Sequence, residues 1–549
     1  MAHPAPRPVW AALAAVLLAP LAAGQTVTVE WDDVRQTIDG FGASDAWFAD
    51  EMQRHPQSAA ILDALFSTTS GAGLSILRQR IDPGVFEAEG VYDWQDKDWI
   101  ASGWMAQQAR ARGVPVVWGS AWSAPKWMKT NGERSNGGFL FKDRYDDYAA
   151  WLATWAEEME AQHGVAYDAL SPQNEPGAKP WASMEWTAGG FRDFLRDHLG
   201  PEWDARGLGD VALVAPEETH WHKVDVFMDV IAADPAALAV VDVVAGHAYE
   251  YNPNSTSRPT TSYNDYGRPV WMTEWSYDVY ADDVSIANGV EWALNVWSLL
   301  VKAEVSAVHH WWLFNFHDDG RQQGLVNAVD GEADFELTKR LFTIGQFSRF
   351  VRPGWVRVDA TERASASVYV AAFRDPASGR FAVVAINESP AAQPVEVAFD
   401  GFTSGAVTPH QTTAARDIAR AVDVEGGAGF EATLPGRSVT TFTGRGTPTG
   451  ATGAASGAAP LVVGGPSPNP SGGPVEFRLD LPSAADVRLS VFDAIGRKVA
   501  GVTSGPVPAG AHAVALDTSR LAPGVYVYRV EAAGAGGLGV ATGRLTVAR

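Results

Sequence analysis

The chain has 549 residues, 46% of them hydrophobic, and a formal net charge of −23. This length asks for two or three domains with a large core, and the acidic balance argues against nucleic acid and anionic membranes as partners, because phosphate binding needs clustered Lys and Arg. There is no cysteine, which excludes disulfides, thiolate catalysis and Cys-based zinc sites.

The first segment reads as an export signal. Arg7 gives a positive start, Trp10 to Leu21 is apolar, and Leu21-Ala22-Ala23-Gly24-Gln25 offers small residues for cleavage. Residues 1–24 are therefore expected to be a signal peptide cut before Gln25. No later segment offers about 18 apolar residues in a row, so the mature chain is expected to be soluble or surface-attached. Residues 25–38 are expected to add an N-terminal strand to a side β-domain.

From about Gln36 to Phe350 short apolar strands alternate with amphipathic helices. The strand candidates are Ile38–Gly42, Leu74–Ile81, Val114–Gly119, Ala169–Gln173, Val211–Ala215, Val241–His247, Val270–Glu274 and Ala307–Leu313. Between the third and fourth, Tyr145, Tyr148, Trp151, Trp155 and Met159 recur at three- and four-residue steps, which predicts a helix from Tyr145 to Met159. Strands joined by helical crossovers predict a closed parallel (β/α)8 TIM barrel over residues 39–350. Beyond Val351, Ser367–Arg374, Arg380–Asn387 and Val395–Phe399 read as strands, the first two joined by a hairpin at Asp375-Pro376-Ala377-Ser378-Gly379. This is an attached β-sandwich over 351–444. Residues 445–465, almost uncharged and rich in Gly, Ala, Thr and Pro, read as a linker. Residues 466–549 read as a small all-β module, with Val487–Asp493 alternating at period two and Ala494-Ile495-Gly496-Arg497-Lys498 as a turn.

Two segments carry chemistry. Ser171-Pro172-Gln173-Asn174-Glu175-Pro176 and Val270-Trp271-Met272-Thr273-Glu274-Trp275 each place a glutamate at a strand end, 99 positions apart. A β/α barrel gathers its strand ends around one mouth. Two carboxylates across a mouth are what glycoside hydrolysis needs, one to protonate the leaving oxygen and one to attack the sugar carbon. Glu175 is the acid/base candidate and must hold its proton near neutral pH through burial or a neighbouring carboxylate. Glu274 is the nucleophile candidate and must stay ionised, held by Arg78 or Arg80, which alternation places on one face. Asn174 can donate to the sugar 2-hydroxyl. His220-x-His222 beside Glu217 and Glu218 has metal-ligand residue types but no third well-spaced ligand. It reads instead as a solvated loop lining the cleft, and neither metal nor cofactor is expected. On the eighth strand one of His309 and His310, and one of Trp311 and Trp312, should point inward.

Further stretches resemble glycoside hydrolase family 30: Gln36-Thr37-Ile38-Asp39-Gly40-Phe41-Gly42-Ala43-Ser44, Ser75-Ile76-Leu77-Arg78, Ala121 to Gly132, His247-Ala248-Tyr249, and Gln346 to Gly354. That resemblance spans about Val27 to Gly444. It implies the barrel-plus-sandwich fold and a metal-free retaining mechanism, with Glu175 as acid/base and Glu274 as nucleophile. Asn174, Arg78, Trp122, His247 and Tyr249 would line the subsite where the bond breaks and Trp312 would be a stacking platform; Trp47 is also a substrate-binding candidate. Ile81-Asp82-Pro83, Glu185-Trp186-Thr187 and Asp197-His198-Leu199-Gly200-Pro201 look most like the bacterial xylanase branch. The glucuronoxylanases of that branch carry an arginine just after the paired tryptophans of strand eight. Here Asn315 stands there, and Arg321 lies six residues further on. An endo-β-1,4-xylanase independent of glucuronate is the leading expectation; β-1,6-galactanase or glucanase and exo-β-glycosidase branches are alternatives within the family. A non-catalytic polysaccharide-binding surface protein and a metal-dependent esterase or lyase are the readings from other classes. Pro468-Asn469-Pro470, Phe492 to Arg497 and Ala522-Pro523-Gly524-Val525-Tyr526 resemble the sorting domain of the type IX (Por) secretion system. This implies that the secretion machinery is a partner and that the protein is delivered to the cell surface or medium. A monomer is expected.

Overall fold

The computed structural model describes residues 26–179, 181–249, 266–276, 283–316, 323–328, 333–449, 462–463, 466–481, 484–492, 498–519, 521–534 and 537–548. The expected signal peptide, most of the expected linker, Arg321 and the turn residues Ala494 to Arg497 lie outside them.

Parallel strands Gly40–Ser44, Ile76–Ile81, Val116–Ala121, Ala169–Ser171, Ala212–Glu218, Val243–His247, Val270–Glu274 and Ala307–Asn315 form the barrel in chain order, called here barrel strands one to eight. Strand eight pairs with both strand one and strand seven, which closes the ring. The interior is a packed plug. Ile76, Trp118, Ala169, Val214, Val243, Ala245, Trp271 and Ala307 form one buried cluster, with the Trp118 and Trp271 rings edge to face at 5.8 Å. Gly42 sits opposite Ile76 on strand two, where a Cβ would come within 2.4 Å of the Ile76 carbonyl oxygen. Only glycine allows the two strands to approach there.

The expected helix runs Tyr145–His163, past Met159. Asp146 and Asp147 lie in its first turn, favoured by the helix dipole. Gly164 ends it in the left-handed conformation at φ 70°, which glycine adopts without a Cβ penalty. Tyr148, Trp151, Leu152, Trp155 and Met159 are buried, as their spacing demands.

Strand ends differ from the apolar runs, because ladder pairing rather than side-chain hydrophobicity decides where a strand stops. Strand five extends to Glu218, since Pro216 pairs with Ala245 and Glu218 with Gly246. That register leaves Glu217 as a bulge, with φ 60°. Similar shifts occur between Gly246 and His247, opposite Met272 and Glu274, and between Ala43 and Ser44, opposite His310 and Trp312. Three bulges thus cluster at one end of the barrel, where such features re-aim side chains. Strand four stops at Ser171, so Glu175 stands on the loop beyond it rather than at its last residue.

Val27–Thr37 leaves the barrel to join the sandwich, antiparallel to Val356–Ala360 and parallel to Gln393–Asp400. Val368–Arg374 and Arg380–Asn387 form the expected hairpin. The last sandwich strand, Ser438–Pro448, runs past Gly444 because Phe402–Ser404 pairs with its end. Barrel and sandwich are joined through two helices, with Trp297 Nε1 donating to Val370 O at 2.8 Å and Thr441 Oγ1 to Gln346 O at 2.6 Å. The C-terminal region is all-β, with a three-stranded and a four-stranded sheet around their own core, which includes Phe477, Leu489 and Val530. Among the described residues no helix is long and apolar enough to cross a membrane.

Candidate active site

Arg78 is the hub of the site. It is fully buried on strand two, so each N–H must find an acceptor. Nη1 donates to Glu274 Oε2 at 2.7 Å, Nε to Glu217 Oε1 at 3.0 Å, and Nη2 to Asn174 Oδ1 at 2.5 Å. Its guanidinium lies 4.5 Å from the centre of the Trp122 ring and 5.9 Å from that of Trp311, close enough for cation–π attraction. Arg80, the other candidate on this strand, pairs instead with Asp82 and Asp98 and packs over Trp47 at 4.4 Å.

Glu175 is set by its backbone. At φ 51° it occupies a region that non-glycine residues seldom use, and its N–H donates to Glu217 O at 2.9 Å. The preceding residues are pinned too, with Asn174 N donating to Ala121 O at 2.7 Å and Gln173 Nε2 to Trp122 O at 2.9 Å. Glu175 Oε1 lies 2.8 Å from His247 Nδ1, at the end of strand six. The same nitrogen is 3.7 Å from Glu274 Oε1, and His247 Nε2 faces Glu217 Oε1 at 3.8 Å. Tyr249 donates its hydroxyl to Glu274 Oε1 at 2.7 Å. Single oxygens of Glu175 and Glu274 and a His247 nitrogen all lie within 4.8 Å of one another.

Three buried carboxylates therefore surround two cationic groups. Burial opposes charge on His247, but Glu274, Glu175 and Glu217 outweigh it and raise the imidazole to about 10. Burial also opposes charge on Glu217, yet Arg78, His247 and the Ser120 hydroxyl, which donates at 2.6 Å, hold it ionised at about 2. For Glu274 burial is the largest influence and raises it, with His247 and Arg78 pulling the other way. Tyr249 is pushed up, first by burial and then by Glu274, so it remains a donor. His309, also buried, is driven down to about 3. It is a neutral packing group in the plug, with Nδ1 donating to Met272 O and Nε2 accepting from Trp118 Nε1.

Of the residues picked from sequence, Arg78, Trp122, Asn174, Glu175, His247, Tyr249 and Glu274 converge on this mouth. Trp47 packs edge-on against Trp122 at 6.0 Å. Trp312 is buried against Phe48. Its neighbour Trp311, half-buried, lies 5.9 Å from the Arg78 guanidinium and packs 6.0 Å from Trp122. On strand eight His309 points inward, whereas His310 packs on Trp292 in the helix layer. Glu217 and Glu218 do not form a solvated loop. Both are buried at the end of strand five, because the ladder to strand six continues through them. His220 and His222 lie beyond, their rings 5.6 Å apart, and are not part of the Glu175–His247–Glu274 group. Glu217, Ser120 and Trp311 were not picked out as site residues. The available signal was Glu217 itself, a charged residue two positions beyond the apolar run Val211–Ala215.

Comparison with known proteins agrees with this geometry. The Glycosyl hydrolase family 30 TIM-barrel domain matches residues 92–292, and the beta sandwich domain of the same family matches residues 354–442. The Secretion system C-terminal sorting domain matches residues 467–536. The chain is 28% identical over 432 residues to Glucuronoxylanase XynC of Bacillus subtilis (strain 168), covering 76% of this chain and 92% of that one. It is 26% identical over 360 residues to Endo-1,6-beta-D-glucanase BGN16.3 of Trichoderma harzianum, covering 58% and 70%. Its structure is similar to the glycoside hydrolase family 30 subfamily 8 xylanase Xyn30A of Clostridium acetobutylicum, with TM-score 0.66, 29% identity, and coverage of 76% of this chain and 99% of that chain. A closed barrel with facing carboxylates, both domains of one family in order and a sorting domain behind them lead to one conclusion: this chain belongs to glycosyl hydrolase family 30 and is an O-glycoside hydrolase with a C-terminal secretion sorting domain.

Proposed function

We propose that the protein is a secreted retaining endo-β-1,4-xylanase with Glu175 as acid/base and Glu274 as nucleophile. The observation that carries the retaining mechanism is the closeness of the two carboxylates, one oxygen of Glu175 and one of Glu274 lying within 4.8 Å of each other. Retaining enzymes place their carboxyl groups about 5–5.5 Å apart, whereas inverting ones leave room for a water at about 6.5–9.5 Å. The proton inventory fits as well. The hydrogen bond between Glu175 Oε1 and His247 Nδ1 contains one proton whichever partner owns it, and Glu175 can pass it to a leaving oxygen. Glu274 receives two donors, from Arg78 and Tyr249, which favour its ionised form.

In the first step a Glu274 oxygen bonds to the anomeric carbon as the glycosidic C–O bond breaks, and the departing oxygen takes the proton from Glu175. In the second, Glu175 accepts a proton from water, the hydroxide equivalent attacks the anomeric carbon, and the bond to Glu274 breaks. Arg78 fixes the Asn174 amide by occupying its Oδ1, which leaves the Nδ2 hydrogens for the sugar 2-hydroxyl. No step needs a metal or cofactor.

Xylan as substrate rests on the likeness to XynC and Xyn30A. Asn315, buried in strand eight opposite Asn327, stands where glucuronoxylanases carry arginine, and supports activity that does not need a glucuronate side group. The likeness to the Trichoderma endo-1,6-β-D-glucanase supports a second reading, cleavage of a β-1,6-glycan by the same two carboxylates. Delivery to the cell surface or medium follows from the sorting domain, with the type IX machinery as partner.

The test is product analysis on linear arabinoxylan, glucuronoxylan, β-1,6-galactan and β-1,6-glucan. A ladder of xylo-oligosaccharides from both xylans is expected. Products from glucuronoxylan alone would restore glucuronate dependence, and activity only on a β-1,6-glycan would replace the substrate while keeping the mechanism.

A further inference from the structure

Glu217 is a buried ionised group at the centre of the site that the two-carboxylate mechanism does not use. It is fully buried, and its conformation is not a relaxed one. It is the bulge residue of strand five at φ 60°, and a bulky side chain there stores strain that the surroundings must over-determine. Its contacts do so. Oε1 lies 2.8 Å from Arg78 Nη2 and 3.0 Å from Arg78 Nε, Oε2 accepts from Ser120 Oγ at 2.6 Å, and Oε1 faces His247 Nε2 at 3.8 Å. Its carbonyl accepts from Glu175 N at 2.9 Å.

We infer that Glu217 is a positioning residue for hydrolysis: its carboxylate holds Arg78 against Glu274 and His247 against Glu175, and its carbonyl holds the Glu175 backbone. The inference rests on the roles proposed for Glu175 and Glu274. Glu274 and Glu217 both face the two cationic groups, Glu274 at 2.7 Å from Arg78 and 3.7 Å from His247, Glu217 at 2.8 Å and 3.8 Å. Glu217 is the one of the two that the mechanism gives no bond to make or break. Take its charge away and Arg78 and His247 face two carboxylates rather than three. The cluster then turns more positive, every neighbouring carboxyl loses its proton more readily, and the imidazolium becomes easier to deprotonate. The groups that would respond are Arg78 on strand two, Glu175 beyond strand four, Glu218 beside it on strand five, His247 and Tyr249 at the end of strand six, Glu274 on strand seven and His309 on strand eight.

The experiment compares the full chain with Glu217→Gln, Glu217→Asp and Ser120→Ala. Rates are measured against pH on whichever β-glycan the wild type cleaves, and the His247 imidazole is titrated by NMR without substrate. In Glu217→Gln, kcat should fall on the order of 100-fold, as expected for a displaced catalytic group, while KM changes little. Both limbs of the pH profile should move to lower pH, and His247 should titrate at lower pH. Glu217→Asp, which keeps the charge, should return the limbs towards their wild-type positions. Ser120→Ala removes one hydroxyl and serves if Glu217→Gln does not fold; a kcat loss at unchanged KM is expected. Unmoved limbs, an unmoved His247, or a loss confined to thermal stability would overturn the inference. A wild type inactive on every β-glycan would defeat the functional reading instead, and the His247 titration would still decide whether Glu217 sets the charge of this cluster.

Discussion

Tyr249→Phe removes a hydrogen bond on the proposed nucleophile. The ring stays, and the hydroxyl that donates to Glu274 Oε1 at 2.7 Å, and that also meets Ser276, is lost. A hydrogen bond to a charged group contributes about 1.5–3 kcal/mol, and one pKa unit corresponds to about 1.4 kcal/mol. The donor favours the ionised carboxylate, so its loss adds to the effect of burial, which already raises Glu274. The acid limb of kcat/KM should therefore climb by about 1–2 pH units, with the rate at neutral pH reduced and KM less affected. The sign is opposite to that expected for Glu217→Gln. Linkage gives a second readout. Glu274 is raised in the folded state, so its stabilising contribution is present at low pH and is lost as pH rises through the folded value; Tyr249→Phe should deepen that loss at neutral pH. The assay is a pH–rate profile on the wild type's own substrate, with thermal melts at several pH values. An acid limb that stays put, with a uniform drop in rate, would refute the reasoning that Tyr249 acts through the Glu274 charge.

Glu175→Gln and Glu274→Gln should each reduce turnover by at least about 100-fold while circular dichroism is unchanged; a near-wild-type rate would remove that residue from its role. Arg78→Met should be worse than a local loss of rate. It strands Glu217 and Glu274 without their buried partner, a change that costs about 3–5 kcal/mol, and should appear as a clear fall in melting temperature as well as in kcat. Gly42→Ala should lower the melting temperature of the barrel, because its Cβ would lie 2.4 Å from the Ile76 carbonyl oxygen and overpacking costs about 1–3 kcal/mol; an unchanged melt would show that strands one and two can part. Removing residues 466–549 should leave kcat/KM unchanged and retain the enzyme in the periplasm, as read by fractionation; normal export of the shortened chain would argue against the sorting role.

Much of this protein was legible in one dimension. Apolar runs and three- and four-residue periodicity carry the barrel, because a strand buried on both faces must be continuously apolar and a helix covering it must show one apolar stripe. The tripeptide Asn174-Glu175-Pro176 and Thr273-Glu274 pointed to the two carboxylates because each puts a glutamate at or just beyond the end of an apolar barrel strand, and such ends gather at one mouth. Tertiary structure alone decided the rest. That Arg78 rather than Arg80 reaches Glu274 depends on which acids flank each, and Asp82 and Asp98 claim Arg80. That Glu217 joins the centre depends on a bulge in the ladder between strands five and six. That Trp311 comes within reach of the Arg78 guanidinium depends on a register shift opposite Ala43 and Ser44. Bulges are agreements between neighbouring strands, written in no single segment, and they appear only when the ring closes.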